Sequence, residues 1–361
     1  RGLAILFVLT FVGPTLFLAS FAGSMLANLR TWLPEPILSI DGGGIKGVFP
    51  AAFLAKLEED LPEPIGSYFD LIAGTSTGGI IAMALGAGYR AREILEFYEK
   101  YGPAIFANNG LAARAKQYLT RKHSADGLKA ALLAQFGDRK LGDSVTRLVI
   151  PSQNLETGKV YIFKTAHHER FQEDRKRDMV DVALATSAAP TYLPTHKLPG
   201  GTALIDGGIW ANDPAGVAAV EAVGVLGWDP RDVHMLSLSC TASPVKLNGD
   251  GWLAAGKLSW AAKLLDAVGA GQSSGAQGTA AILLGGHDKI NRIAPQVVAG
   301  TFELDNTRGI PRLRGLGESE AREARPKLER FFEELAEPFT PVPASRVPAR
   351  SLPPPGRAEA A

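Results

Sequence analysis

The chain has 361 residues, 46% of them hydrophobic, with 40 glycines, one cysteine, and 38 basic against 37 acidic side chains. That length buries a full core and suits one large domain or two small ones. The net charge of +1 excludes a global field for nucleic acid. The lone Cys240 excludes an intrachain disulfide framework and a zinc cluster, and fits a reducing compartment or a fold that needs no oxidation. So much glycine beside so much apolar residue suits an α/β enzyme with tight strand-to-helix turns, and argues against a coiled coil or a disordered chain.

Residues 2–29 carry no charged side chain and are long enough to cross a bilayer. Gly13-Pro14 interrupts the stretch, Ser20-Phe21-Ala22 has the form of a small-residue cleavage site, and Met25 is the first methionine. Three readings of residues 1–30 stay open: an anchor, a signal peptide, or an extension foreign to the natural protein. They leave the expected location as cytoplasmic or membrane-associated. The globular pattern occupies residues 31–336. Proline becomes dense from Pro338, which describes a disordered tail over 337–361.

Within the globular part, residues 36–40 predict a short buried strand that runs into the glycine turn Asp41-Gly42-Gly43-Gly44-Ile45-Lys46-Gly47. Residues 48–61 have helical spacing, with Phe49, Phe53, Leu54 and Leu57 on one side and Lys56, Glu58, Glu59 and Asp60 on the other. Pro62 and Pro64 end that helix. A second strand, 71–73, meets Gly74-Thr75-Ser76-Thr77-Gly78-Gly79 and passes into an apolar helix over 80–85. Residues 90–101 are again helical. The pattern loosens over 102–143, where Arg114, Lys116, Arg121, Lys122 and His123 predict either a solvated helical insert or a mobile cover facing anionic headgroups. Strands follow at 147–150 and 159–163, then a small-residue helix at 179–189, with Thr186 and Ser187 read as packing or capping groups. Residues 203–205 predict a strand that delivers Asp206 to Gly207-Gly208, with a helix at 215–225 and a strand at 233–238. One or two helices span 253–284, and a charged amphipathic helix spans 318–335.

Three glycine turns therefore follow apolar strands. In Gly74-x-Ser76-x-Gly78 the strand-to-helix turn is so tight that a Cβ at either flank would strike neighbouring backbone. The turn lifts the Ser76 hydroxyl to the amino end of a helix, whose free N–H groups and dipole favour a developing oxyanion. In an open α/β sheet, turns beyond the carboxyl ends of strands gather on one edge, so the three turns are expected to meet there. Ser76 would then be a nucleophile, Asp206 the base that takes its proton, and the amides of Gly43 and Gly44 the oxyanion donors. Lys46 would add positive charge behind that oxyanion or lie at the surface.

Together Asp41-Gly42-Gly43-Gly44-Ile45-Lys46-Gly47, Gly74-Thr75-Ser76-Thr77-Gly78-Gly79, Ala185-Thr186-Ser187-Ala188-Ala189-Pro190 and Asp206-Gly207-Gly208 resemble the patatin-like phospholipase family over roughly residues 36–215. The resemblance implies a three-layer α/β/α fold around a mostly parallel sheet, and a serine–aspartate dyad without histidine that hydrolyses the acyl esters of membrane phospholipids. It carries the nucleophile to Ser76, the proton acceptor to Asp206, and the oxyanion hole to the turn from Gly42 to Gly47. The family often has arginine where this chain has Lys46, which keeps the charge but loses the planar fork. Some bacterial members are effectors switched on by cyclic nucleotides; no residue of this chain marks such a site. Neither a calcium loop nor clustered ligands of metal-binding spacing occur, so no metal or cofactor is expected.

Two rivals remain at the level of sequence. Ser76, Asp206 and His234 occur in the chain order used by serine–histidine–aspartate hydrolases. Gly42-x-Gly44-x-x-Gly47 also has the form of a dinucleotide fingerprint, with Glu59 and Asp60 near the place of a ribose-binding acid. The second rival would make the chain a non-catalytic nucleotide-binding protein.

Overall fold

The computed structural model of the chain describes residues 35–106, 124–242, 257–298 and 300–343. The apolar stretch 2–29, the basic residues from Arg114 to His123 and the tail beyond residue 343 lie outside these. Eight strands make one sheet: β1 (Glu35–Ile40), β2 (Leu71–Gly74), β3 (Arg147–Asn154), β4 (Val160–Lys164), β5 (His196–Lys197), β6 (Ala203–Asp206), β7 (Val233–Leu238) and β8 (Ile290–Ile293). They lie in the order β5-β6-β3-β2-β1-β7-β8, with β4 also paired to β3. β3, β2, β1, β7 and β8 are mutually parallel, whereas β4 and β6 run antiparallel to β3.

The central strands are apolar on both faces, and alternate residues feed two separate cores. Leu38, Ile40, Ile72, Leu148, Ile150, Leu236 and Leu238 pack on one face with Phe49 and Phe53 of α1 (Val48–Glu58), Ile81 of α2 (Thr77–Gly86) and residues of α3 (Ala91–Ile105), α4 (Asp126–Phe136) and α5 (Met179–Thr186). The neighbours Ile37, Leu71, Ala73, Val149, Val233 and Met235 point the other way. There the alanines of α7 (Ala215–Val220) close on the sheet, after the short α6 (Gly208–Ala211), and Ala280 and Leu284 of α8 (Lys257–Leu284) complete the layer. The result is the three-layer α/β/α arrangement. Among the described residues no helix is long and apolar enough to cross a membrane.

β3 is longer than its sequence predicts, and its second half positions the site. Val149 lies between Ala73 of β2 and Lys164 of β4, and Ser152 lies between Asp206 of β6 and Tyr161 of β4. β4 therefore covers one edge of β3, while β2 and β6 share the other. Because β2 is parallel to β3 and β6 antiparallel, their carboxyl ends point at each other along that edge. The three turns do meet, but not as three parallel strand ends. The changeover falls at Pro151, whose carbonyl accepts the Thr186 hydroxyl at 2.6 Å and stands 2.3 Å from where a Cβ on Gly207 would be.

α9 (Ile310–Leu328) begins eight residues before the helix expected from the charged pattern, and Phe331 falls in a following 3-10 turn. Pro311, Gly315 and Gly317 disguise its first half. Pro311 costs nothing in a first turn, where no N–H partner is needed. Gly317 is required by packing, since a Cβ there would lie 2.5 Å from the Phe49 carbonyl oxygen and 2.9 Å from the Ala52 Cβ of α1. The start of the proline-rich segment is tied to the body, with the Val342 N–H donating to the Ala166 carbonyl at 2.7 Å and Glu337 N–H to Asp70 at 3.2 Å. We expect Gly317→Ala to force α9 off α1 at a cost of about 2 kcal/mol, read as a Tm lower by several degrees in thermal unfolding followed by circular dichroism. An unchanged Tm would show that α9 can slide without loss.

Candidate active site

The site forms where β2, β6 and β1 end. β2 leads into Ser76, a non-glycine residue held at φ 55° and ψ −121°, and α2 follows at once. Such a conformation costs on the order of 1–3 kcal/mol and persists only where neighbours impose it. Three do so here. A Cβ on Gly74 would lie 2.2 Å from the Gly78 carbonyl oxygen, and one on Gly78 2.2 Å from that of Ile40, so both flanking glycines are demanded by backbone contact. The Ser76 N–H donates to Thr186 Oγ1 at 3.0 Å, and the Thr75 hydroxyl donates to the Ala211 carbonyl at 2.6 Å. Thr186 thus relays the elbow to Pro151 of β3.

Across the crevice, Asp206 ends β6 and is 5% exposed. Its Oδ1 accepts the Gly208 N–H at 2.6 Å, and the Ser76 hydroxyl lies near enough to favour its charged form. Burial pushes the Asp206 carboxyl up to about 6, against the pull of those two groups. The expected nucleophile and its expected base are therefore neighbours across the crevice. His234 sits near the opposite end of the sheet. It is paired with Pro36 near the start of β1, whereas Gly74 is level with Ile40, four residues and about 13 Å further along. Burial, aided by Arg330 and Lys289, lowers His234 to about 4.

The turn after β1 forms the third side. Gly42 packs so closely that a Cβ there would lie 3.2 Å from the Ser76 Cβ, and its N–H donates to the Asn212 carbonyl at 3.0 Å. Gly43 rests on Cys240, whose Cβ is 2.3 Å from where a side chain would begin. Gly44 has φ +57°, with the Leu304 carbonyl beside it, and the Ile45 N–H donates to that carbonyl at 2.8 Å. Among the described residues the N–H groups of Gly43 and Gly44 meet no acceptor. Gly47 lets the turn close on Thr77, and half-buried Lys46 contributes its positive charge to the surroundings of Asp41 and Cys240. The Cys240 thiol is held up at about 12, chiefly by burial, so it stays protonated.

Glu59 and Asp60 do not approach this turn. They follow the far end of α1 and pair with Lys56 and Arg325. A fingerprint that bound a ribose through them would need them at the turn. Among the described residues no group of three His, Cys, Asp or Glu side chains is placed to hold a metal ion.

Three residues of the site lie beyond the sequence reading. Asn212 spans the first and third glycine turns, its Nδ2 donating to the Gly42 carbonyl at 3.4 Å and its Oδ1 lying 3.1 Å from where a Cβ on Gly208 would be. The run Asn212-Asp213-Pro214 after a glycine turn was the available signal. Thr186, expected as a packing or capping group, instead bonds the Ser76 N–H and holds the elbow. Arg292, on the unpredicted strand β8, reaches Asp41 with two parallel hydrogen bonds of 2.8 and 2.6 Å and approaches Asp213 at 3.2 Å. Burial first, then the charge of Asp213, pushes the Asp41 carboxyl up to about 7 against the pull of Arg292.

Comparison with known proteins places the chain in a family. The family model described as patatin-like phospholipase matches residues 38–219. A cGAMP-activated phospholipase of Pseudomonas aeruginosa is 37% identical over 241 residues, covering 66% of this chain and 72% of that protein. One of the same name from Escherichia coli is 33% identical and covers 59% and 64%, and patatin-like protein 2 of Arabidopsis thaliana is 36% identical and covers 54% of each. The chain thus spans about half to three quarters of these relatives. Among solved structures, VipD from Legionella pneumophila aligns with 81% of this chain and 67% of its own at 13% identity and a TM-score of 0.46. A family match over half of the chain and a relative shared over most of its length lead to one conclusion: this chain belongs to the patatin-like phospholipase family.

Proposed function

We propose that the chain is a serine acyl hydrolase that cleaves fatty-acyl esters of membrane phospholipids through Ser76 and Asp206. The observation that carries the reading is that Ser76, held at φ 55°, and the buried Asp206 share one crevice with a glycine turn whose Gly43 and Gly44 amides are unspent among the described residues. Asp206 takes the hydroxyl proton as Ser76 Oγ attacks the ester carbonyl carbon. The carbonyl π electrons move to oxygen, and the amides of Gly43 and Gly44 receive that charge. Collapse breaks the bond to the lysolipid alcohol, which leaves with the proton from Asp206, and an acyl-serine remains. A water molecule gives its proton to the same carboxylate and attacks the acyl carbon, and collapse breaks the bond to Ser76 Oγ, which takes the proton back from Asp206 as the fatty acid leaves. Partly exposed apolar residues beside two of the turns, Ile209 after Gly208 and Leu304 against Gly44, support an acyl-chain substrate and contact with a membrane surface. No polymer of nucleotides enters this scheme.

Hydrolysis of phospholipid vesicles and of p-nitrophenyl acyl esters is expected to fall on the order of 10³-fold or more in Ser76→Ala and in Asp206→Ala, with far-UV circular dichroism unchanged. Full activity in either variant would refute the dyad. Activation by cGAMP belongs to the proposal through the names of the bacterial relatives. A rate that cGAMP leaves unchanged removes that part and leaves the dyad standing.

The same carboxylate links activity to pH. Asp206 must be ionised to accept a proton, so kcat/KM should rise with pH through about 6 and level off above it. Stability runs the opposite way. The folded carboxyl holds its proton up to about 6 and the unfolded one only to 3.8, so this group's contribution declines as pH rises across that window. Above it the buried charge costs on the order of 3 kcal/mol. Asp206→Asn should therefore be inactive yet melt higher than the wild type at pH 8, with the gain shrinking toward pH 4. A lower Tm at pH 8 would show that the charge is not buried at a cost.

A further inference from the structure

Gly42, Gly43 and Gly44 have no side chains to hold the shape of the turn, and its unspent amides can serve an oxyanion only if neighbouring groups fix them. Arg292 stands where such a fixture is needed. Its guanidinium donates through Nη1 to Asp41 Oδ1 at 2.8 Å and through Nη2 to Asp41 Oδ2 at 2.6 Å, immediately before the turn. It also approaches Asp213 Oδ2 at 3.2 Å, the residue after Asn212, and donates to Ser237 Oγ at 2.8 Å. Among the described residues Arg292 is the sole hydrogen-bond donor to the Asp41 carboxylate. Asp213 is different, since it is already held by Ser273 at 2.9 Å, Gln277 at 2.8 Å and the Ala215 N–H at 3.0 Å. It offers the guanidinium a fixed wall, and Asp41 is what the guanidinium holds. Position 292 lies outside the segment 38–219 that the family model matches.

We propose that Arg292 is a positioning residue for the reaction, setting the Gly43 and Gly44 amides by clamping Asp41 against the Asn212-Asp213 segment that follows the Asp206 turn. The inference rests on the acyl-hydrolase reading. A planar fork suits the task, because two parallel hydrogen bonds fix the direction of a carboxylate where an ammonium fixes only its distance. A misplacement of about 1 Å in such a site costs about 10²-fold in rate.

The test uses the full chain, with p-nitrophenyl ester turnover normalised to sites titrated by a fluorophosphonate probe. Per titrated site, kcat should fall about tenfold in Arg292→Lys and about a hundredfold in Arg292→Met, with KM within threefold of the wild type. Asp41→Asn should reproduce part of the loss, while the exposed Arg231→Lys should leave kcat unchanged. If Arg292→Met lowers only the Tm or the titratable fraction, and kcat per site stays within threefold, the residue is a structural ion pair and the proposal is overturned. Should Arg292→Met fail to fold, Arg292→Lys decides by the same criterion. A wild-type chain that hydrolyses no ester with or without cGAMP, or a Ser76→Ala variant that keeps full activity, overturns the hydrolase reading itself and the proposal with it.

Discussion

The site depends on two strands that end head to head. β2 and β6 share one edge of β3, one running with it and one against it, so the turns that leave them open toward the same crevice. That geometry brings a serine held at φ 55° and a buried carboxylate to one crevice. Everything nearby serves to keep those ends in register. Pro151 marks the changeover, Thr186 ties its carbonyl to the elbow amide, and Gly207 allows the third turn to pass within contact of it.

Burial gives two carboxylates of this region different characters. Asp206 accepts the Gly208 amide and is drawn down a little by the Ser76 hydroxyl, but among the described residues no cation pairs with it, so burial dominates and its proton affinity rises. On the proposed mechanism that is an advantage, since a stronger base takes a serine proton more readily. Asp41 is buried beside a second carboxylate, Asp213, with Arg292 between them. One guanidinium cannot neutralise two carboxylates in a dry setting, and the arrangement is better understood as a fixture than as a source of stability. Its three members come from the end of β1, the segment after the Asp206 turn and β8, which are far apart in the chain.

The glycines show the same division of labour. Gly74 and Gly78 are required by the elbow's own backbone, whereas Gly43 and Gly44 are required by Cys240 and Leu304, elements that arrive from the far half of the chain. In each case a side chain would collide at less than 3 Å, so the turns are shaped as much by what presses on them as by their intrinsic freedom.

From sequence alone, Ser76 and Asp206 as candidates, the three glycine turns and an α/β chain were legible, while the three-layer arrangement was what the family resemblance implied. The former are local signals, since a strand period of two, a glycine demanded by a tight turn and a polar residue at a strand's end are written within a few neighbouring residues. What only the tertiary structure decided is long-range. The antiparallel course of β6, the doubled length of β3 and the bridge made by Asn212 depend on which strands lie side by side, and no short window records that. Arg292 is the extreme case, because it meets Asp41 across 251 residues from a four-residue strand hidden in an unpatterned segment. Its importance comes from the carboxylate it faces, and that partner is chosen by the packing of the sheet.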